Sequence, residues 1–250
     1  MEMRRAFQRR GFTLVEVLVA SMLTIALLGL VSALFVAANH MIGLQASSLL
    51  ISRDLSLGAE RLRNELKETA LGAIRVRNGE LPSLTLVTAR GKDGHSAIDA
   101  QGTPDWMGWA HYLLEDGESS EVGVLTRWTE YPRDPMPYPL ISAADPYAIP
   151  KGAEKTVILR NVVRPGAKLT DGKSQPLAMS DGDGFSVRFV RLDDSRAYTT
   201  SNQNPSETSA EPADIHANTR LLEVKIRTYS RTQTGKVDTV GMHFMVCPRY

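Results

Sequence analysis

Two aspartates, Asp181 and Asp183, stand close together in the glycine-rich stretch SDGDGF. A pair of carboxylates with nearby backbone carbonyls is a ligand set that can hold Ca²⁺. The EF-hand pattern fails here, because Phe185 follows and no glutamate stands at the required distance. We therefore favour a plain turn before a strand that begins at Phe185, and we keep Asp181 and Asp183 as weak calcium candidates.

The other residue types that carry chemistry are scattered along the chain. No two of the five histidines stand at metal-ligand spacing: His40, His95, His111, His216 and His243. The patterns HExxH and GxSxG and a phosphate-cradling glycine loop are missing. The single cysteine, Cys247, excludes an intrachain disulfide and paired-cysteine zinc sites. On the residues alone we identify no catalytic residue and no cofactor.

The three tryptophans, Trp106, Trp109 and Trp128, admit two interpretations. They could stack on sugars or bases as an adhesive patch, or they could be buried aromatics of a sheet. We favour burial, since alternating strands surround them. The adhesive interpretation stays open at this point.

Charge gives little support for a nucleic-acid partner. The net charge is +1, and acidic and basic residues are interspersed. A few basic residues give a mild hint of a stripe: Arg188, Arg191, Lys225 and Arg227. We expect strand alternation to divide them between two faces and acidic neighbours to offset them. No nucleic-acid binding is predicted.

One carboxylate, Glu16, stands inside an otherwise uncharged apolar run that extends from Phe12 to Ala38. A helix of that length spans roughly 40 Å, enough to cross a bilayer core of about 30 Å. Four arginines precede it within the first ten residues, so the positive-inside bias predicts a cytoplasmic N-terminus. A carboxylate near this edge either lies at the interface or meets a positive partner among assembled helices.

Beyond the apolar run, the pattern predicts one continuous helix up to Gly72, with residues 39–72 amphipathic. Its apolar face is formed by Ile51, Leu55, Ala59, Leu62, Leu66 and Ala70. The residues expected on its outer face are Arg53, Glu60, Arg63, Glu65 and Lys67.

Residues 73–250 read as a β-rich domain of short alternating segments. The predicted strands are Ala73–Arg77, Ser83–Thr88, Trp109–Leu114, Val122–Thr129, Thr156–Val162, Phe185–Val190, Leu221–Tyr229 and Val240–Val246. Tyr131–Pro150 and Tyr198–Asn218 are expected to be loops. The predicted class is α+β, with an antiparallel sheet packed on the amphipathic part of the long helix.

The string Gly11-Phe12-Thr13-Leu14-Val15-Glu16, after two arginines and before an uncharged run, resembles the processing signature of type IV pilins and type II secretion pseudopilins. The resemblance implies that residues 1–11 are a leader, that prepilin peptidase cuts between Gly11 and Phe12, and that Phe12 becomes N-methylated. It also implies that Glu16 pairs with the Phe12 amine of a neighbouring subunit. Together with the missing catalytic motifs, the resemblance predicts that the chain is not an enzyme. Major pilins often carry a proline in this helix, which is missing here.

The order of helix, hairpin and later strands is similar to the larger minor pilins and minor pseudopilins. It implies a bacterial inner-membrane subunit, with residues 12–38 spanning and the C-terminal domain periplasmic, that joins other pilin-like subunits in a filament which it primes or decorates. A minor pseudopilin of a type II secretion system is the close alternative. A single-pass membrane protein that binds a ligand or glycan without any filament is the alternative of another class.

Overall fold

The computed structural model describes residues 13–132, 149, 152–167, 169, 184–192, 198–201, 219–231 and 237–249. The predicted cleavage pair, Gly11 and Phe12, and the calcium candidates, Asp181 and Asp183, lie outside these residues. So does most of the predicted loop Tyr131–Pro150.

One long helix, α1, covers Leu14–Glu68 and confirms the prediction of a single uninterrupted helix. No proline occurs in this stretch, so nothing removes a backbone hydrogen bond along it. The helix ends at Glu68, slightly before the predicted Gly72, and a 3-10 turn over Leu71–Ala73 follows. The chain divides into two compact units between Ser47 and Ser48, and α1 contributes to both. The predicted limits of leader, membrane segment and outer domain stay predictions.

The described residues contain nine strands in a sheet in which every pairing is antiparallel. They are β1 (Arg75–Arg77), β2 (Ser83–Thr88), β3 (Gly108–Asp116), β4 (Val122–Glu130), β5 (Glu154–Val163), β6 (Ser186–Leu192), β7 (Tyr198–Ser201), β8 (Thr219–Arg231) and β9 (Val237–Val246). All eight predicted strands are present, and the α+β class is confirmed.

The strand order is β1-β2-β3-β4-β5-β8-β6-β7, with β9 paired to β8. From β1 to β5, each strand pairs with the next one along the chain. The contact between β5 and β8 is a single register pair, Val162 with Thr228. By contrast, β8 and β9 are matched over ten consecutive pairs without a register shift.

The core lies between one face of this sheet and the C-terminal part of α1. Leu55, Ala59, Leu62 and Leu66 are each at most 1% exposed, so the predicted apolar face is confirmed. They share a cluster with inward residues of the strands, including Leu84, Tyr112, Leu125, Phe189 and Val224. Each fully buried leucine contributes about 2 kcal/mol of transfer free energy, which holds this part of α1 on the sheet.

Two expectations from the sequence are wrong. Glu65 was expected on the outer face of the helix but is buried. The segment that begins at Tyr198 was expected to be a loop, but Tyr198–Ser201 forms β7 beside β6. Residues 202–218 of that predicted loop lie outside the described residues.

Three of the four basic residues of the weak stripe lie on one face of the sheet. Arg188 is paired in register with Glu223, which alternates along β8 with Lys225 and Arg227. Paired residues of an antiparallel sheet point to the same side, as do residues two apart on one strand. Arg188, Lys225 and Arg227 therefore share the sheet face opposite the buried Val224 and Ile226.

Candidate functional site

Glu16 forms a capping box with Thr13 at the start of α1. The backbone N–H of Thr13 donates to Glu16 Oε2 at 2.9 Å, and the Thr13 hydroxyl donates to the same oxygen at 3.1 Å. In return, the backbone N–H of Glu16 donates to Thr13 Oγ1 at 3.3 Å. Thr13 and Glu16 thus satisfy each other's backbone donors at a helix end where no intrahelical acceptors exist. This geometry gives Glu16 a local structural role that the sequence argument missed.

A shallow groove lies beside Glu16 on the surface of the helix. It is lined by Glu16, Val17, Ala20, Ser21, Thr24 and Ile25. The Ser21 hydroxyl donates to the carbonyl of Val17 at 2.7 Å, and that of Thr24 to the carbonyl of Ala20 at 2.8 Å. Because these hydroxyls are satisfied within the helix, the groove offers small side chains and a single carboxylate to whatever covers it.

The rest of this helical segment presents large apolar side chains to the outside. Leu14 is 84% exposed, and residues such as Met22, Leu28 and Phe35 are more than 60% exposed. α1 is long and apolar enough to cross a membrane, and it is the one such helix among the described residues. A contiguous apolar surface of this size indicates a lipid or protein environment.

A second polar cluster lies where α1 packs on the sheet. The Glu65 carboxylate accepts a hydrogen bond from the Tyr112 hydroxyl at 2.8 Å and one from Arg127 Nε at 3.1 Å. The side chains of Glu65 and Arg127 are only 3% and 5% exposed. Tyr112 is on β3 and Arg127 on β4, and the two are register partners. The cluster therefore joins one helix to two neighbouring strands.

The electrostatics of this cluster follow from its burial. Burial, and then the adjacent Glu65 charge, raise the pKa of Tyr112 well above its usual value, so its hydroxyl stays a donor. Burial alone would lower the pKa of Arg127, but the Glu65 carboxylate raises it overall. The pair is thus an ionised, hydrogen-bonded contact between the helix and the sheet.

A half-exposed ion pair lies beside the buried one. Glu68 accepts from Arg90 Nη2 at 2.7 Å and Nε at 2.8 Å, and from the Ser96 hydroxyl at 3.1 Å. An open cleft of about 520 Å³ lies between the helix and β4–β5, and its lining includes Glu65, Arg90, Arg127 and Tyr131. Both signs of charge line it, with Arg61, Arg90, Lys92 and Arg127 on the basic side and Glu60, Glu65 and Glu154 on the acidic side.

The histidines do not converge on a site in the described part of the chain. His111 is largely buried, its Nδ1 lies 3.0 Å from the Thr85 hydroxyl, and burial lowers its pKa to about 4. His243 lies 3.0 Å from Glu223 on another part of the sheet. Among the described residues, no three His, Cys, Asp or Glu side chains are arranged to hold a metal ion.

The structure favours burial for part of the tryptophan set. Trp106 is 6% exposed and belongs to a small cluster with Ala70, Val87 and Ala89, against which Trp109 packs. Trp128 is half-buried and donates its Nε1–H to Glu115, with the Lys155 ammonium 5.0 Å from its ring centre. The three rings do not form one exposed adhesive surface.

The glycine that follows the calcium candidates has a local structural explanation. Gly184 has a φ of +127°, and a Cβ there would lie 2.6 Å from the carbonyl oxygen of Val163. Only glycine fits such a close approach. Asp181 and Asp183 lie outside the described residues, so the calcium hypothesis stays a prediction.

The class that these observations define is an α+β protein whose sheet domain is joined to one apolar, membrane-length helix. No protein-family model, no curated protein and no solved structure matches this chain.

Proposed function

We propose that this chain is a minor pilin-like subunit that prepilin peptidase cleaves after Gly11 and that enters a type IV pilus-like filament through its N-terminal helix. One observation carries the proposal. The N-terminal part of α1 is exposed and apolar, and its single charged residue is Glu16, four residues after Phe12. Cleavage would remove all four leader arginines and leave one positive amine on Phe12. In this proposal the N-terminus starts in the cytoplasm and the sheet domain is periplasmic.

In this proposal Glu16 has two successive roles. In the separate subunit its carboxylate is held by Thr13, within the capping box. In the filament it accepts the Phe12 amine of a neighbouring subunit, where an unpaired carboxylate among apolar helices would cost several kcal/mol. The shallow groove with Ala20 and Ser21 allows another helix to come close.

The two roles can be separated by substitution. Glu16→Gln keeps the capping box, because glutamine also serves at this position, but it removes the charge. Thr13→Ala removes the cap, worth about 1 kcal/mol, and keeps the charge. We expect that in native cells the Glu16→Gln chain can no longer be crosslinked to neighbouring pilin-like subunits. The Thr13→Ala chain should still be crosslinked to them. Equal crosslinking of Glu16→Gln and the wild type would refute the pairing.

A type II secretion pseudopilin would use the same helix and the same glutamate. Deletion of the chain distinguishes the two systems: loss of surface filaments supports the pilus, and loss of protein export with normal filaments supports secretion. A ligand-binding membrane protein without any filament role would instead keep its Gly11–Phe12 bond intact in the mature chain.

A further inference from the structure

The described strands meet at a narrow boundary between β5 and β8. These two strands share a single register pair, Val162 with Thr228, although they have 10 and 13 residues. Before this boundary β1 to β5 pair in sequence, and beyond it β6, β7 and β9 are joined through β8. We call the two groups the first and the second half-sheet, and the boundary the seam. Few ladder hydrogen bonds can cross a seam of one register pair.

β5 is irregular where it approaches the seam. Its pairing with β4 shifts register twice, between Gly123 and Leu125 and between Leu125 and Thr126. Such bulges place extra residues in one strand and bend it. Asn161, next to Val162, has a φ of +54°, in the left-handed region that a regular strand does not use. A bent strand can match the regular β8 over a short stretch only.

An open cleft of about 600 Å³ lies at the seam. It is bounded by α1, β5 and β8, and its lining includes Leu57, Val157, Asn161 and Tyr229. Leu57 is 55% exposed and Val157 is 43% exposed, so these apolar side chains are incompletely covered. The space between the half-sheets is therefore not filled by packed side chains here.

Strong polar contacts hold α1 on the first half-sheet. Glu65 accepts hydrogen bonds from Tyr112 of β3 and Arg127 of β4, and Glu68 pairs with Arg90 just after β2. None of these contacts involves a strand of the second half-sheet. They can therefore persist when that half-sheet moves.

Neutral hydrogen bonds and apolar packing tie the second half-sheet to the rest of the described chain. The Asn78 side chain donates to the Val187 carbonyl at 2.9 Å, and the Arg249 backbone N–H donates to the Lys67 carbonyl at 3.1 Å. Inward residues of β6, β8 and β9 belong to the core cluster beside α1. No ion pair between described residues joins the two half-sheets. Apolar packing is thus the main tie.

We propose that the second half-sheet opens from α1 and the first half-sheet as one cooperative unit, with the seam as the line of separation. Opening breaks the pair of Val162 and Thr228 and exposes the facing edges of β5 and β8, while α1 stays bound to β3 and β4. Native proteins open in such units, which often coincide with supersecondary motifs. This motion is separate from the proposed filament role and does not depend on it.

Native-state hydrogen exchange of the full chain in detergent tests the proposal. The decisive comparison is between β3 and β8, because each is paired on both sides and neither opens by simple fraying of an edge. We expect the hydrogen-bonded amides of β6, β8 and β9 to share one opening equilibrium. After correction for intrinsic rates, they should exchange at least tenfold faster than those of β3 and β4. A smaller difference would overturn the proposal, as would fast exchange in β9 alone.

A disulfide across the seam supplies a second test. In a Cys247→Ser background, Val162→Cys and Thr228→Cys place two thiols on register partners, whose Cα atoms lie about 4.5–5.5 Å apart, within the disulfide range. The oxidised chain should show at least tenfold slower exchange in β8 than the same chain reduced. A matched disulfide between Leu113→Cys and Thr126→Cys, register partners within the first half-sheet, should change that exchange less than twofold. Equal slowing by both disulfides, or none by the first, would overturn the proposal.

Discussion

Breaking the buried pair of Glu65 and Arg127 from one side should strongly destabilise the sheet unit. Glu65→Gln keeps the size of the side chain and an acceptor for the Tyr112 hydroxyl, but it leaves the Arg127 charge without its carboxylate. The two side chains are only 3% and 5% exposed, so water compensates poorly for the lost partner. Breaking a buried pair from one side costs about 3–5 kcal/mol.

Two further variants separate the cost of the unpaired Arg127 charge from that of the Tyr112 hydrogen bond. Arg127→Met combined with Glu65→Gln removes the stranded charge, so the double variant should be more stable than Glu65→Gln alone. Tyr112→Phe deletes one hydrogen bond and should cost about 1 kcal/mol.

A second ion pair, whose carboxylate is also on α1, serves as the control. Glu68 and Arg90 have side chains that are 29% and 32% exposed. Glu68→Gln should therefore lower the free energy of unfolding by less than about 1 kcal/mol. The assay is urea unfolding of the full chain in detergent, followed by intrinsic fluorescence, because all three tryptophans belong to the sheet unit. Equal losses for Glu65→Gln and Glu68→Gln would refute the argument from burial.

Three more predictions use the same unfolding assay. Gly58→Ala should lower the free energy of unfolding by about 1 kcal/mol net. The alanine Cβ would lie 2.7 Å from Leu159 Cγ, and this overpacking outweighs the gain in helix propensity. A stabilised variant would contradict this contact. Burial lowers the pKa of His111 to about 4, so the unfolded state binds the proton first as pH falls. The unfolding free energy should drop by on the order of 3 kcal/mol from about pH 7 to pH 4, and His111→Gln should lack this component. Leu62→Ala should cost about 2–5 kcal/mol, since Leu62 is fully buried, and a loss below about 1 kcal/mol would contradict its place in the core.

The elements of this fold could be predicted because their signals are local. The apolar sequence without proline predicted α1. The strict alternation in RLLEVKIRTYS predicted β8, and its Leu222, Val224 and Ile226 are buried as expected. β7 was missed because Tyr198–Ser201 is short and polar, and its pairing with β6 rather than its own pattern makes it a strand.

The parts that could not be predicted depend on contacts between distant residues. In the sequence, Glu65 fits the charged outer face of the helix. Only the fold places Tyr112 and Arg127, on two strands, beside it. Arg227 lies opposite Gly241 because of the register between β8 and β9, and no local sequence pattern fixes that register. The sequence did contain Thr13 and Glu16 at capping-box spacing, a signal that the membrane argument overlooked.

The most direct test of the proposed function is the intact mass and N-terminal sequence of the protein from its native membrane. The proposal predicts a mature chain that begins at N-methylated Phe12, without residues 1–11. A chain that still begins at Met1, in cells with an active prepilin peptidase, would contradict the pilin-like assignment and leave Glu16 as a capping residue of a membrane anchor.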